Sequence, residues 1–326
     1  MKLRDLTAVT ATAAALLGAA TPAVAADTEI ATLPSQTSLD ALDGHVLWSV
    51  QDDATQAWRL VDLSNGVQRP LPVATSPSPF DVDLGHDRGG RLVAVYSRCR
   101  EALREDGANF GRRGCDIFRF DFATARETKV KSVNSRRDEH EPTLWHARIA
   151  FVRAYPQDNG VRERMYVRDL RAGRTRRLRG GAGFAFPRDL DLRSRTTAVR
   201  WVHEFSEDVR LAFAGRAGRT LLATPGSGAA AQAYSTLHPT FANAHTVYWG
   251  LSSSDPDYGE VWRRDLRSRR NEHATTRINE PFVLFAQDGD VSYYAVHSDP
   301  ADRTSPLKLH RLDGLDFEPA PKLTLD

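Results

Sequence analysis

The residues that precede five prolines are the first candidates for chemistry in this chain. They are Ser78, Glu141, Phe186, His238 and Glu280. Carboxylates and imidazoles exchange protons and coordinate cations near neutral pH, and Asp138 and His140 add two more such groups beside Glu141. We expect these groups to meet at one mouth of a central channel and to bind a cation, a sugar or a substrate that needs acid–base help. A hydrated polar mouth is the alternative. The predicted ligand-binding residues are Asp138, His140, Glu141, His238 and Glu280.

A second candidate site lies between residues 254 and 260, where oxygen-bearing side chains alternate. Asp255 and Asp257 are the candidate metal ligands, and calcium favours such carboxylates near a glycine turn. The complete twelve-residue calcium loop is missing, so an ordinary polar hairpin is the alternative. The chain has no phosphate-binding loop, no dinucleotide-binding turn, no zinc-binding His-Glu-x-x-His motif and no serine-hydrolase motif in its proper context. No other cofactor is expected.

The two cysteines, Cys99 and Cys115, flank a polar segment that has little to bury. In an exported chain, such a pair most simply forms one disulfide. We expect it to close a long surface loop.

A short pattern that recurs along the chain predicts how these residues are positioned. Each copy alternates apolar and polar residues, as a half-buried strand does, and usually ends in Asp before a short turn. The copies lie at 58–63, 117–122, 165–170 and 261–266, with degraded copies at 210–214 and 312–313. The Asp is expected to accept hydrogen bonds from the turn, so that each copy forms a hairpin with the following strand.

Two further strands precede each copy. An apolar run forms the second strand, at 46–50, 92–96, 149–152, 197–202, 247–250 and 291–296. Bulky residues such as Trp48, Tyr96, Trp201 and Trp249 recur there and are expected in the core. A tight turn joins this run to a first strand that opens with proline in five copies. Four strands in six units predict an all-β fold, a six-bladed β-propeller of four-stranded antiparallel blades, because each small sheet covers its apolar faces only by stacking on its neighbours.

The strand-opening prolines, the Asp43-Gly44 and Asp288-Gly289 turns and the aromatic-x-x-x-Asp-Leu strands resemble the repeats of the TolB-like (WD40-like) six-bladed β-propeller family. The resemblance implies a propeller over nearly the whole mature chain. We expect no counterpart of the additional α/β domain of TolB or of the hydrolase domain of the related prolyl oligopeptidases. Some TolB-related propellers are sugar lyases, so the resemblance also leaves an activity on polysaccharides open.

The N-terminal residues predict export. A basic start, an apolar run from 6 to 20 and the small residues Ala23-Val24-Ala25 are typical of a bacterial secretory signal peptide at 1–25. The remaining residues, 27–326, are expected to form one propeller domain without a membrane span. We expect residues 28–33 to close the ring as an outermost strand, although 322–325 compete for that place.

The composition limits the class of function. The chain has 326 residues, with 44 basic and 42 acidic side chains, 26% charged and 41% hydrophobic residues, which excludes a disordered tail and a polytopic membrane protein. The arginines between 168 and 179 are not interleaved with aromatic residues as a groove for single-stranded nucleic acid requires, so no nucleic-acid partner is expected.

The main interpretation is a secreted, monomeric propeller that binds an extracellular or envelope protein, peptide or glycan through the channel mouth and its loops. The alternative is an extracellular polysaccharide lyase or hydrolase with its site in the central channel, carried by Glu141, His238 and Glu280. A purely structural envelope protein is the third interpretation.

Overall fold

The computed structural model describes residues 26–34, 37–104, 109, 111–158, 160–179, 186–202, 207–223, 234–254, 257–276 and 278–320. These residues form strands and turns but no helix, and thus no helix with the length and hydropathy of a membrane span. The predicted signal peptide, residues 1–25, lies outside them.

The strands form five antiparallel sheets. Two of them consist of four consecutive strands each. The first contains β2 (Leu39–Leu42), β3 (His45–Gln51), β4 (Trp58–Ser64) and β5 (Val67–Pro70). The second contains β6 (Val82–His86), β7 (Leu92–Arg98), β8 (Asp116–Asp121) and β9 (Arg126–Lys129). A third four-stranded sheet joins the two ends of the ring: β1 (Ala26–Leu33), β22 (Leu284–Asp288), β23 (Val291–His297) and β24 (Leu307–Asp313). A five-stranded sheet contains β18 (Tyr234–Phe241), β19 (Thr246–Ser254), β20 (Asp257–Asp265), β21 (Asn271–Ala274) and β25 (Phe317–Pro319).

The remaining sheet has eight strands: β10 (Glu139–Trp145), β11 (Arg148–Gln157), β12 (Gly160–Asp169), β13 (Arg174–Arg179), β14 (Phe186–Arg193), β15 (Thr196–Val202), β16 (Glu207–Ala214) and β17 (Arg216–Ala223). Its halves meet where β13 pairs with β16 at two positions, Leu178 with Ala214 and Arg179 with Phe213. The prediction of six separate blades is therefore wrong: the described residues give four sheets of blade size, and this fifth one is twice as large. A repeat specifies the strands within a unit, whereas contacts between the edges of two units depend on how the units dock.

The arrangement is nevertheless propeller-like, as predicted. The first strands β2, β6, β10, β14, β18 and β22 contact one another in a closed ring. Side chains on these strands accept hydrogen bonds from the backbone N–H of the next first strand. The pairs are Asp40 with Leu84, Asp83 with Leu144 (3.0 Å), Thr143 with Leu192 (2.9 Å) and Asp191 with Phe241.

The apolar core lies between neighbouring strand groups. Each pair of neighbours around the ring encloses its own cluster of buried residues. The predicted second-strand aromatics belong to these clusters: Trp48, Tyr96 and Trp249 are fully buried and Trp201 nearly so. Because burying one large apolar side chain contributes about 1.5–3 kcal/mol, this stacking is the main stabilising contribution of the architecture.

Three local predictions are confirmed. Strand β1 pairs with β24 from Ala26 opposite Asp313 to Leu33 opposite Leu307, so the N-terminal segment closes the ring. The competing segment 322–325 lies outside the described residues. Cys99 and Cys115 form a disulfide. In several hairpins the repeated Asp accepts hydrogen bonds from the turn, as Asp265 does from the backbone of residues 267 and 268 at 2.7 and 2.8 Å.

Candidate functional site

Three consecutive first strands carry the same backbone irregularity at the same place. In β10, β14 and β18, the pairing with the second strand shifts register between residues 140 and 143, 188 and 190, and 237 and 240. Glu141, Asp189 and His238 occupy these bulges with φ angles of 48°, 45° and 26°. A left-handed conformation costs a residue other than glycine about 1–3 kcal/mol, and such strain gathers at functional sites.

The three strained residues line one cavity of about 230 Å³ at the axis of the ring. All six first strands, or the residues just before them, contribute to its lining. Leu39, Leu284 and Phe285 supply apolar surface, and the strained residues supply polar groups. A cavity with an apolar wall and a few converging polar groups suits a small polar ligand or one unit of a polymer.

Hydrogen bonds from a serine hydroxyl and from the backbone hold two carboxylates of this cavity, Asp81 and Glu141, in place. Asp81 Oδ2 accepts from Ser97 Oγ at 2.7 Å and from the backbone N of Glu141 at 3.3 Å. Glu141 Oε2 accepts in turn from the backbone N of Asp189 at 2.8 Å. Each carboxylate therefore bonds the strained backbone of the next first strand, which helps to maintain the left-handed conformations.

Asp81, His140 and Glu141 together have the donor set of a metal site. One ligand atom of each lies within 4.8 Å of the other two. The hydrogen bonds of the two carboxylates use Asp81 Oδ2 and Glu141 Oε2, and the second oxygen of each bonds no described residue. The buried Nε2 of His140 lies 3.1 Å from Glu163 Oε1 without hydrogen-bond geometry. One imidazole and two carboxylates fit a divalent cation such as Mn²⁺ or Zn²⁺.

The protonation of Glu141 reflects its crowded surroundings. Burial, and then the neighbouring carboxylates Asp81 and Asp189, raise the pKa of Glu141 well above its usual range, against the opposing effect of Arg188. A divalent cation among these carboxylates would offset their repulsion and favour the ionised form of Glu141. The cluster is thus a candidate cation site at which a cation and a proton compete for Glu141.

His238 is a cationic group in the same cavity. Its Nε2 lies 3.7 Å from Asp40 Oδ1, and its Nδ1 lies 3.7 Å from Asp189 Oδ1. Burial alone would lower the pKa of His238, but the two carboxylates outweigh burial and raise this pKa well above the usual imidazole value. The two carboxylates therefore favour the protonated imidazole, which suits a proton donor better than a general base.

Two arginines complete the charged lining. Arg200 Nε lies 2.8 Å from Asp189 Oδ2, and Arg188 Nη1 lies 2.6 Å from Glu163 Oε2. Burial opposes the ionisation of Asp189, but Arg200 and His238 outweigh it and hold the pKa of that carboxyl below its usual range. The cavity therefore places the candidate metal cluster beside two arginines, each of which is paired with an acid.

The structure brings three of the five predicted ligand residues together. Glu141 and His238 line the cavity, and His140 lies in the metal-binding cluster beside Glu141. In β10 and β18 the proline directly follows the bulge residue, which is why the residue before proline indicated the correct position there. A role for these residues in ligand binding stays a prediction.

Asp138 and Glu280 do not line the cavity. Asp138 accepts hydrogen bonds from the backbone N–H groups of residues 113–115 at 2.8–3.2 Å, so it holds the loop closed by the disulfide. Glu280 precedes Pro281, which lies two residues before Val283, a residue of the cavity lining. Ser78 and Phe186 also precede prolines, and these lie two residues before the lining residues Asp81 and Asp189. Proline is tolerated at any strand position that needs no ladder N–H, so its place is not tied to the axis.

The predicted calcium ligands are not described by the structure. Asp255 lies outside the described residues, as does the side chain of Asp257, which begins β20. Calcium binding at this segment stays a prediction.

Sequence reasoning missed Asp81, Asp189, Arg188 and Arg200. A signal for the two acids is present, because each of four first strands has, within it or at its start, two polar residues separated by one apolar residue. These pairs are 81 and 83, 141 and 143, 189 and 191, and 238 and 240. Residues two apart in a strand face the same side, so this pattern marks the inward face of the ring.

No family model and no characterised protein sequence matches this chain. Solved structures do match it. A Mycobacterium tuberculosis puromycin-hydrolyzing peptidase is 14% identical with a TM-score of 0.51, over 89% of this chain and 54% of the peptidase, so the chain spans about half of that peptidase's length. An oligogalacturonate lyase in complex with manganese is 11% identical with a TM-score of 0.50, over 85% of this chain and 76% of the lyase. The fold is a β-propeller.

A third propeller matches nearly end to end. A luciferin-regenerating enzyme is 10% identical with a TM-score of 0.53, over 91% of this chain and 98% of that enzyme. At these identities the likeness concerns the fold alone, and each named activity belongs to the matched protein.

Proposed function

We propose that this protein is an enzyme that cleaves an anionic saccharide in the axial cavity with the help of a bound divalent cation. The observation that carries the proposal is the strained position shared by Glu141, Asp189 and His238. A purely structural strand has no reason to hold three ionisable residues in a costly conformation around one cavity. Enzymes among the matched propellers, including the lyase with manganese, support catalysis over binding alone.

Asp81, His140 and Glu141 would hold the cation, since their donor atoms are close together and two carboxylate oxygens bond no described residue. When bound, a divalent cation supplies positive charge that neutralises a uronate carboxylate. Arg188 and Arg200 lie in the same lining and would orient that carboxylate by charge-assisted hydrogen bonds.

His238 would donate the proton that glycosidic cleavage requires. In a lyase, a carboxylate of the lining takes the proton from the carbon next to the uronate carboxylate, a C=C bond forms, and the C–O bond to the leaving oxygen breaks. Asp189 is the candidate for this base, because Arg200 and His238 favour its ionised form. In a hydrolase, water adds to the anomeric carbon instead. The leaving oxygen takes up a proton in both reactions, and Asp40 and Asp189 keep His238 protonated for that step.

The proposal is tested with purified protein loaded with Mn²⁺, using polygalacturonate and alginate as substrates. Ultraviolet absorbance detects unsaturated products, and a reducing-end assay detects hydrolysis. We expect Glu141→Gln to lower the rate by about 100-fold or more, because it removes a charge from the metal-binding cluster. Glu280→Gln is the matched control: it changes the same residue type before a proline outside the cavity, and its rate should stay near that of the wild type.

Two results contradict the proposal. One is the absence of product from every acidic polysaccharide, with and without Mn²⁺. The other is an equal rate for Glu141→Gln and Glu280→Gln. Circular dichroism tests whether both variants are folded. We expect Glu141→Gln to fold, because glutamine at position 141 still offers an oxygen to the backbone N–H of Asp189.

A binding module for a protein, peptide or glycan is the second candidate. It is favoured by the disulfide-closed loop, which is anchored at Asp138 just before the strand that carries Glu141. Loops on a rigid scaffold often form binding surfaces. Binding of an acidic polysaccharide without any product would favour this candidate.

The proposal also includes the setting of the protein. We infer a signal peptide at 1–25, a single propeller domain at 27–326, a monomer in the extracytoplasmic space and a relation to the TolB-like family. The repeat pattern and the N-terminal residues support these points. Mass spectrometry of secreted protein with a new N-terminus near Ala26 or Asp27 tests export.

A further inference from the structure

A second cavity, of about 360 Å³, lies beside the disulfide-closed loop. Its charged lining is dominated by arginine: Arg100, Arg112, Arg136 and Arg137. All four are exposed, and the Arg100 side chain is 73% exposed. The acid in the lining, Asp116, lies 2.6 Å from Lys129 Nζ and 3.5 Å from Arg100 Nη2, so these two cations share the charge of one carboxylate. We call this cavity the arginine groove.

The walls of the arginine groove are fixed by the surrounding structure. The disulfide joins the two ends of the loop, and Asp138 accepts hydrogen bonds from its backbone at residues 113–115. The Arg137 guanidinium lies 4.5 Å from the centre of the Tyr155 ring, and the Tyr155 hydroxyl bonds that of Tyr166 at 2.6 Å. A cation–π contact holds an arginine side chain in place while its N–H donors stay available to an anion.

The loop that borders the groove starts beside the axial cavity. The chain reaches the loop at the end of β7, where Ser97 bonds Asp81 of the axial cavity and Cys99 follows two residues later. It leaves the groove at Arg137, four residues before Glu141. Four residues of extended chain span at most about 14 Å between Cα atoms, so one polymer could reach both places.

We propose that the arginine groove binds carboxylates of an anionic polysaccharide whose cleaved unit occupies the axial cavity. Only the second part of this proposal, the cleavage of one unit in the axial cavity, rests on the proposed function. Positive charge without a nearby unpaired acid selects an anion, and guanidinium groups bind carboxylates in a bidentate manner. The groove would then make the protein act on long chains in preference to short ones, because each further unit adds a charged contact.

Binding of polygalacturonate is measured by isothermal titration calorimetry at low and moderate salt. We expect the double variant Arg136→Ser/Arg137→Ser to bind it roughly 10- to 100-fold more weakly, with a smaller salt dependence. The matched control is Arg171→Ser/Arg177→Ser, which removes the same charge from exposed positions in and beside β13. The control should bind like the wild type.

The inference is overturned if the wild type does not bind polygalacturonate, or if both double variants lose the same affinity. It is also overturned if the groove binds single-stranded DNA of the same charge as tightly as it binds polygalacturonate. A failure of the proposed function looks different. In that case Glu141→Gln and the wild type form no product, while the loss of binding still follows Arg136 and Arg137.

Discussion

At the scale of single residues, the axis of the propeller is a place where buried charges set each other's protonation. His238 lies between Asp40 and Asp189, and Arg200 Nε forms an ion pair with Asp189 Oδ2 at 2.8 Å. These pairs offset the cost of removing charge from water, which amounts to several kcal/mol for each ion. Charges of this kind are retained in proteins mainly where function needs them, so they agree with the proposed site.

Asp191, like Glu141, is a buried carboxyl whose surroundings raise its pKa and favour the neutral form. It lies deeper along the axis on β14, and burial followed by Asp40 raises the pKa of Asp191 to about 6, against the opposing effects of the Phe241 N–H, His238 and Arg193. The ionised Asp191 also faces Asp83, whose pKa is raised by burial and by both neighbouring carboxyls.

We predict that Asp191→Asn makes the protein more stable at pH 7 but not at pH 4. A carboxyl pKa that is higher in the folded than in the unfolded state means that stability falls as pH rises from about 4 to about 6, by roughly 1–3 kcal/mol. Asparagine has no such titration and still accepts from the Phe241 N–H. Urea unfolding of both proteins at these pH values measures the difference.

The control for this prediction is Asp53→Asn, at an exposed position. Its stability should follow that of the wild type across the pH range. Parallel pH profiles for the wild type and Asp191→Asn would show that folding does not raise the pKa of Asp191.

At the scale of elements, the first strands are joined by side chains as well as by packing. Each of Asp40, Asp83, Thr143 and Asp191 accepts the backbone N–H of the next first strand. These bonds satisfy donors that no strand ladder reaches, since neighbouring first strands belong to different strand groups. They therefore fix the position of each first strand along the axis, and with it the positions of the residues in the axial cavity.

We predict that Thr143→Val lowers the free energy of unfolding by about 1–3 kcal/mol, because it leaves the buried Leu192 N–H without its acceptor. Thr143→Ser keeps the hydroxyl and is the matched control, with a loss of less than about 1 kcal/mol for the missing methyl group. Denaturant midpoints measure both. If valine proves as stable as serine at this position, the inter-strand bond contributes nothing.

At the scale of the whole molecule, the ring is closed by the first strand of the chain. Strand β1 covers the edge of β24, and Asp27 accepts a hydrogen bond from the Tyr294 hydroxyl at 2.7 Å. Leu33, at the end of β1, is fully buried in the cluster that joins this sheet to β2, β3 and β4. Closure removes an exposed sheet edge and ties the two ends of the chain into one cooperative unit.

We predict that Leu33→Ala destabilises the protein by about 2–5 kcal/mol and exposes the closing strand to limited proteolysis. Thr32→Ala changes the preceding, exposed residue of the same strand and should shift stability by no more than about 0.5 kcal/mol. Thermal unfolding and the rate of cleavage after Glu29 by a glutamate-specific protease measure the effects. Equal behaviour of the two variants would mean that β1 does not hold the ring closed.

The amino-acid sequence by itself determined the strands, the hairpins, the closing segment and the disulfide. Each depends on a local signal: alternation of apolar and polar residues, a turn with Asp, or two cysteines in one loop. Glu141 and His238 were also found, because a proline happens to follow the bulge in their strands.

The tertiary structure decided which residues meet at the axis and how many sheets form. A bulge of one residue changes which side chains face inward, and nothing in a strand's own alternation shows where a bulge lies. Asp189 joined the site for this reason, since it occupies the bulge of β14. Asp81 precedes β6 and joins the site through its bond to the backbone N–H of Glu141, whereas Asp138 bonds the backbone of the disulfide-closed loop instead. The eight-stranded sheet likewise arises from the docking of two edges, Leu178 against Ala214, which are 36 residues apart in the chain. Contacts between distant segments depend on the packing of the whole ring, which no single repeat contains.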